Sequence, residues 1–319
     1  MKKYDVTAIG ELLIDFTETG ISLQGNPLLE ANPGGAPCNV LAMLSRLGKK
    51  TAFIGKVGND YFGRQLKSAA EAAGLDMAGL AVSEKVPTTL AFVHTLPDGD
   101  REFSFYRAPG ADMTLSKHDL NMDMIRSCRI FHYGSLSMTN DLCRRATEKA
   151  IAAAREAGAV LSFDPNLREP LWENLDEAKR QIEYGISKCD ILKISDNEIA
   201  WLTGCGSYEQ AAESLLKRYD NLSLMLVSLG KNGSRAYSGG AAAYMPAVRV
   251  NTVETTGAGD TFCACVLNFV LENGLRDYTR SELENMLKFA NAAAAIVTTR
   301  KGALKVMPDV SEIKALLKE

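Results

Sequence analysis

The stretch that most constrains this chain is Thr261-Phe262-Cys263-Ala264-Cys265-Val266-Leu267-Asn268-Phe269-Val270-Leu271, a helical pattern apolar almost all round. Such a helix has no face for water and must lie inside a domain large enough to surround it. Glu254-Thr255-Thr256-Gly257-Ala258-Gly259-Asp260 leads directly into it, after a strand-like run over residues 245–253. A turn of small residues therefore opens a helix in the interior. The backbone N–H groups of Gly257, Ala258 and Gly259 can converge there on one spot, which the helix dipole makes attractive to an anion. Glycine at two of the three positions lets a phosphate approach the backbone closely. Asp260 then adds a carboxylate, a poor ligand for that anion but a good base for a neighbouring hydroxyl. These parts suit transfer of a phosphoryl group to an alcohol. A bare Gly-x-Gly-Asp is more often only a turn with a helix N-cap, so the rest of the chain has to decide.

With 319 residues, 46% of them hydrophobic, the chain can bury a large core, and one large α/β domain with a smaller attachment fits best. A net charge of −3 gives no general field for nucleic acid or an anionic membrane, so any anion must be held by local groups. The seven cysteines are scattered without a Cys-x-x-Cys pair, and the three histidines show no metal-ligand spacing. Neither a disulfide framework nor a zinc site is expected. Acids at Asp5 and Glu11 interrupt the apolar run a signal peptide needs, and no apolar stretch is long enough to span a bilayer. A cytoplasmic protein without nucleic-acid or membrane partners is the expectation.

Residues 4–16 read as a first strand, with Asp15 just past its carboxyl end, where open α/β sheets bind ligands. Residues 17–33 lack a helical period and fit a small strand pair outside the main sheet. Gly34-Gly35-Ala36-Pro37-Cys38-Asn39 opens a helix that stops at Gly48. Gly58-Asn59-Asp60-Tyr61-Phe62-Gly63-Arg64-Gln65 imitates a P-loop but has Arg and Gln where the phosphate lysine and the Mg²⁺ hydroxyl belong, and is rejected. Residues 88–107 read as a hairpin turning at Pro97-Asp98-Gly99-Asp100. Beyond it the βα rhythm resumes, with strands near 129–136, 160–166, 191–195 and 222–229. Asn232-Gly233 then marks a two-residue hairpin turn and antiparallel strands at that edge. The alternation predicts an α/β fold, a mostly parallel sheet flanked by helices on both faces with a small β-strand lid. The α/β core is placed at 1–16, 34–87 and 110–319, and the discontinuous lid at 17–33 and 88–109.

Asp-Thr-x-Gly-Ala-Gly-Asp is the signature of the ribokinase (PfkB) family of carbohydrate kinases, and residues 254–260 resemble it closely, with Glu254 where the pattern usually has Asp. Gly34, Gly35 and Asn39 resemble its Gly-Gly-x-x-x-Asn sugar-binding segment. Phe105-Tyr106-Arg107, Ala111-Asp112-Met113 and Phe163-Asp164-Pro165-Asn166-Leu167-Arg168 with Leu171-Trp172 are similar to the fructokinase branch, and the likeness runs over nearly the whole chain. It implies a ribokinase-like fold and an ATP-dependent sugar kinase, most simply a fructokinase making fructose 6-phosphate, with Mg²⁺ and a K⁺ ion as candidate cofactors. It places Asp260 as general base and Gly257, Ala258 and Gly259 as the anion hole. Asp15, Gly34, Gly35, Asn39, Arg107 and Arg168 are implied at the sugar. Lys193, Glu198, Ser228, Gly230, Gly233, Thr256 and Asn291 are implied at ATP. Glu198 would reach Mg²⁺ through water, and Glu254 would stand at the K⁺ site. A homodimer through the lid is also implied. The rivals are a 2-dehydro-3-deoxygluconate kinase, in which Arg107 or Arg168 would bind the sugar-acid carboxylate, a ribose or nucleoside kinase, and a kinase-like sugar-binding regulator without catalysis.

Overall fold

A computed structural model describes residues 2–95 and 101–318. The chain enters through β1 (Tyr4–Ile9), β2 (Leu13–Ile21), β3 (Pro27–Gly34), α1 (Ala36–Arg46), β4 (Thr51–Gly58), α2 (Tyr61–Ala72), β5 (Leu75–Ser83), β6 (Leu90–Thr95) and β7 (Arg101–Tyr106). It continues through α3 (Met122–Arg126), β8 (Cys128–Gly134), α4 (Asp141–Glu156), β9 (Val160–Asp164), α5 (Leu175–Lys188), β10 (Ile191–Ser195), α6 (Asp196–Thr203) and α7 (Tyr208–Arg218). It closes with β11 (Leu224–Ser228), β12 (Ser234–Ser238), β13 (Ala241–Met245), α8 (Ala258–Asn273), α9 (Arg280–Thr298) and α10 (Val310–Leu316).

The large sheet runs β13-β12-β11-β10-β9-β8-β1-β4-β5, parallel except where β12 and β13 form an antiparallel edge. Alternate residues of each strand feed opposite faces. Leu224 and Leu226 join one buried core with α1, α8 and α9, while Met225 and Val227 join the other with α4 to α7. From β1 the chain first builds outward to β4 and β5, then returns to build outward from β8. The switch point between β1 and β8 is where such sheets leave a crevice at their carboxyl ends. The small sheet, ordered β3-β2-β6-β7, stands apart as the lid. No helix among the described residues is long and apolar enough to cross a membrane.

Three sequence expectations change. The first strand ends at Ile9, and residues 13–21 leave for the lid, so Asp15 lies on a lid strand opposite Asn32 and Ala91. The break falls at Gly10, packed so closely on α1 that a Cβ there would lie 2.6 Å from Pro37 Cγ. The run 245–253 forms no strand beyond Met245. The carbonyls of Met245 and Pro246 accept from Asn291 Nδ2 instead, at 3.1 Å each, and Val253 and Glu254 donate N–H groups to Thr298 O. The β11–β12 hairpin pairs Ser228 with Ser234 around a short 3₁₀ turn at Gly230–Asn232, so Asn232-Gly233 is the end of a longer connection and not a two-residue turn. The strands of the 88–107 hairpin do pair antiparallel, and its expected turn lies outside the described residues.

Candidate active site

Gly257 caps α8 in the left-handed conformation, with φ 79°, where a side chain would be strained. The position is also closed sterically, because a Cβ would lie 2.7 Å from Ala303 Cβ. The turn forms a wall between two cavities. Thr255, Thr256, Gly257, Gly259 and Asp260 line one of about 270 Å³, together with Asp15, Asn39, Arg168 and Lys193. Thr255 and Ala258 line another of about 500 Å³, together with Gly230, Gly233, Val248, Val250 and Asn291. The start of a buried 16-residue helix, with its excess of N–H groups, thus lies where two ligands can meet. The Ala258 N–H makes a long 3.3 Å bond back to Thr255 O.

In the smaller cavity, Asp260 Oδ2 accepts from Asn39 Nδ2 at 2.8 Å. Burial raises the Asp260 carboxyl above its ordinary range, against the Asn39 hydrogen bond and the charges of Lys193 and Arg168. Oδ1 of Asn39 is buried and unpartnered, an acceptor that a ligand hydroxyl can satisfy. Burial also pushes Asp15 up to about 7, opposed by Arg168 and reinforced by Glu254 and Asp260. Gly34 leaves room for that carboxylate, since a Cβ there would fall 2.2 Å from Asp15 Oδ2. Gly35 lines the same cavity. The lid supplies Val93 and Phe105.

Arg107 is buried and does not line this cavity. Its Nε donates to Asp112 Oδ2 at 2.7 Å, Nη1 to Thr139 Oγ1 at 3.0 Å and Nη2 to Leu136 O at 2.9 Å. It therefore fixes Leu136, which does line the cavity, while four of its own five N–H donors are engaged. Arg168 faces the cavity, with Nη1 donating to Leu167 O.

Lys193 and Asp164 form a buried ion pair at 2.8 Å. Burial works against the Lys193 charge, but Asp164, Glu198 and Asp260 together raise its pKa above the ordinary value. Its Nζ would lie 3.1 Å from a Cβ on Gly259, which places a cation beside the anion turn. Glu198 closes a capping box on α6. Its Oε2 accepts from Ser195 N and Oγ, and its Oε1 from Leu167 N at 2.7 Å. Oε1, with a single donor, keeps a lone pair for a further partner. Among the described residues no group of three or more His, Cys, Asp or Glu is placed to hold an ion.

The larger cavity is mostly apolar. Asn291 frames it without a spare amide, because Nδ2 donates to two carbonyls and Oδ1 accepts from Ser234 Oγ at 2.8 Å. Gly233 admits no Cβ, which would lie 2.1 Å from Met245 O. Ser228 ends β11 at the start of this loop. Glu254 is buried, with Oε1 accepting from Thr256 Oγ1 at 2.5 Å and Oε2 from Gly302 N at 2.9 Å. Arg300, two residues before Gly302, pairs with Glu312. The structure thus brings together at the turn most of the residues expected there, and sets Arg107 and Asn291 one step behind. Sequence reasoning passed over Glu11 and Asn166, both at the smaller cavity. The signal for Asn166 was its place in Asp-Pro-Asn, a strand end that here takes a φ of 45°.

An anion-attracting turn between two cavities, with a carboxylate on one side, defines a phosphotransferase acting on an alcohol. Residues 3–310 match the pfkB family carbohydrate kinase, and the chain belongs to this family. It is 43% identical to fructokinase-2 of Solanum lycopersicum over 316 residues, 98% of this chain and 96% of that one. The structure of fructokinase from Xylella fastidiosa with bound ATP superposes with a TM-score of 0.89 at 30% identity, covering 99% of this chain and 98% of the other. A double mutant of fructokinase from Vibrio cholerae O395, in its fructose-, ADP- and potassium-bound form, superposes at 0.87 with 28% identity, covering 99% of each.

Proposed function

We propose that this protein is an ATP-dependent fructokinase that phosphorylates the terminal hydroxymethyl group of D-fructose. The observation that carries the reading is the shared wall, with the nucleotide-sized apolar cavity on one side of residues 255–260 and the polar, acid-bearing cavity on the other. Fructose would lie in the smaller cavity against Asp15, Asn39 and Arg168. ATP would lie in the larger, with its phosphates reaching over the turn toward Lys193.

Asp260 takes the proton of the attacking hydroxyl, and the N–H groups at the start of α8 stabilise the charge that builds on the transferring oxygens. For Ala258 this means giving up its long bond to Thr255 O. Lys193, kept charged by Asp164, stands where that charge develops. A divalent ion bound with the nucleotide neutralises phosphate charge, and Glu198 would meet it through water. Closure of the lid, which contributes Val93 and Phe105, excludes water as a competing acceptor.

Three carboxylates (Glu11, Asp15 and Asp260) face two cations (Arg168 and Lys193) in the smaller cavity. That balance supports a neutral sugar over a sugar acid, as does the engagement of four of the five Arg107 N–H donors by Asp112, Thr139 and Leu136. A competition between fructose and 2-dehydro-3-deoxygluconate under equal conditions tests the assignment. Higher kcat/KM for fructose is expected, and higher kcat/KM for the sugar acid overturns it.

A weakened K⁺ site at Glu254 and the 298–303 loop belongs to the same proposal, the carboxylate oxygens there being already engaged. So does a homodimer through the lid, where Ile21, Leu28 and Leu29 are exposed. Cytoplasmic residence fits the seven free cysteines.

A further inference from the structure

Helix α1 begins without a cap of its own. Its N-cap residue is Gly35, which has no side chain to cap it, and its first turn carries no acid. The Ala36 N–H, one of the donors a helix start leaves unpaired, is taken by Oε1 of Glu11 at 2.9 Å from 25 residues upstream. Glu11 is 4% exposed and lies at the edge of the smaller cavity. The fit between the two segments is tight, since a Cβ on Gly35 would lie 2.5 Å from Glu11 O.

The same first turn carries Asn39. Its N–H donates to Gly35 O at 3.0 Å, and its amide donates to Asp260 at 2.8 Å. One carboxylate at the end of β1 therefore fixes the turn, the turn fixes the amide, and the amide holds the carboxylate of the proposed base. Burial raises Glu11 to about 7, against its hydrogen bonds from the Glu11 and Ala36 backbone and the attraction of Arg107, with Asp112 acting the other way. Arg107 and Asp112 are themselves joined as a buried ion pair.

We infer that Glu11 is a positioning residue for phosphoryl transfer, a remote N-cap of α1 that sets Asn39 against Asp260. The inference rests on the reading of Asp260 as the base. What Glu11 supplies is an acceptor oxygen at a fixed place, which a neutral amide of the same length also supplies. An alanine supplies none, and the first turn of α1 is then free to shift.

The test compares E11A, E11Q, N39A and the double variant E11A/N39A by kcat and by KM for fructose and ATP. E11A is expected to lower kcat roughly 10- to 100-fold, the scale on which small misplacements act, with the KM for ATP within about twofold because the nucleotide cavity lies across the wall. E11Q should recover to within about threefold of wild type, and the double variant should be no slower than N39A, since both act through one contact. A normal kcat in E11A, an E11Q as slow as E11A, or a double variant that falls by the product of the singles overturns the inference. Hydrogen exchange in the wild-type protein covers the case in which E11A does not fold. The Ala36 amide is expected to be protected along with the first turn of α1, and fast exchange at Ala36 counts against the cap. Wild-type turnover with fructose is measured first. Its absence contradicts the kinase reading, whereas an active wild type with an indifferent E11A contradicts only the role of Glu11.

Discussion

The side-chain amide of Asn39 donates to Oδ2 of Asp260 at 2.8 Å, tying the first turn of α1 to the first turn of α8 across 221 residues of chain. The bond favours the ionised carboxylate and so works against the burial that raises the Asp260 pKa. Removing it in N39A raises that pKa further. The acid limb of the kcat profile should move to higher pH, and turnover near neutrality should fall roughly 10-fold or more. A pH–rate profile of the variant checks this, and an unmoved acid limb would show that the amide does not tune the base.

The Asp164–Lys193 pair lies almost wholly out of water, with side chains 4% and 9% exposed. Replacing one member leaves a buried charge without its partner. D164N and K193M should each lower the unfolding free energy by about 3–5 kcal/mol. The double variant should be less destabilised than the sum of the two, and denaturant titrations of all four proteins measure it.

Stability should also depend on pH in an unusual direction. Glu11 and Asp15 are both raised to about 7 in the folded protein, from 4.5 and 3.8. Between those unfolded values and about 7 the folded state binds more protons than the unfolded state, so its stability falls as pH rises through that window. The ligand-free protein should be more stable at pH 6 than at pH 8, by roughly 1–3 kcal/mol. His132, which burial and Lys193 hold down at about 3 from 6.5, acts in the opposite sense within the same window and offsets part of the effect, whereas Asp60 and Glu282 lose their contribution only in more acid solution. Denaturant titrations at the two pH values decide the sign.

What could be read from the sequence was local. The anion turn is seven consecutive residues ahead of an apolar helix, and β10 occupies residues 191–195 as its pattern predicts. What could not be read was set by distant partners. Gly10 follows β1 where Pro37 leaves no room for a side chain, and no periodicity reports that closeness. Val248 and Val250, which line a cavity, alternate with Arg249 and Asn251, and that alternation looks like a strand when the cavity is unknown. Arg107 stands at the end of a strand as a ligand-binding arginine would, but Asp112 five residues later turns it inward. Glu11 was visible only as an acid inside the run read as the first strand, since the N–H it accepts belongs to Ala36.

Glu254 holds the turn from below, bridging Thr256 Oγ1 and the N–H of Gly302. A shorter carboxylate in E254D cannot span the same two donors without a backbone change and leaves room for a cation among the nearby carbonyls. The wild-type protein should be stimulated modestly by K⁺, and E254D more strongly. Initial rates in K⁺, Na⁺ and a bulky organic cation at constant ionic strength compare the two. Equal rates in all three, for both proteins, would leave no role for the ion.

The central claim is that Asp260 removes the proton from the attacking hydroxyl of fructose. D260N keeps the shape of the side chain and removes the proton acceptor. Its steady-state turnover with saturating fructose and ATP should fall by about 10²–10⁴-fold, the usual contribution of a general base, while the affinities for both substrates change little. A variant that turns over near the wild-type rate would contradict the account.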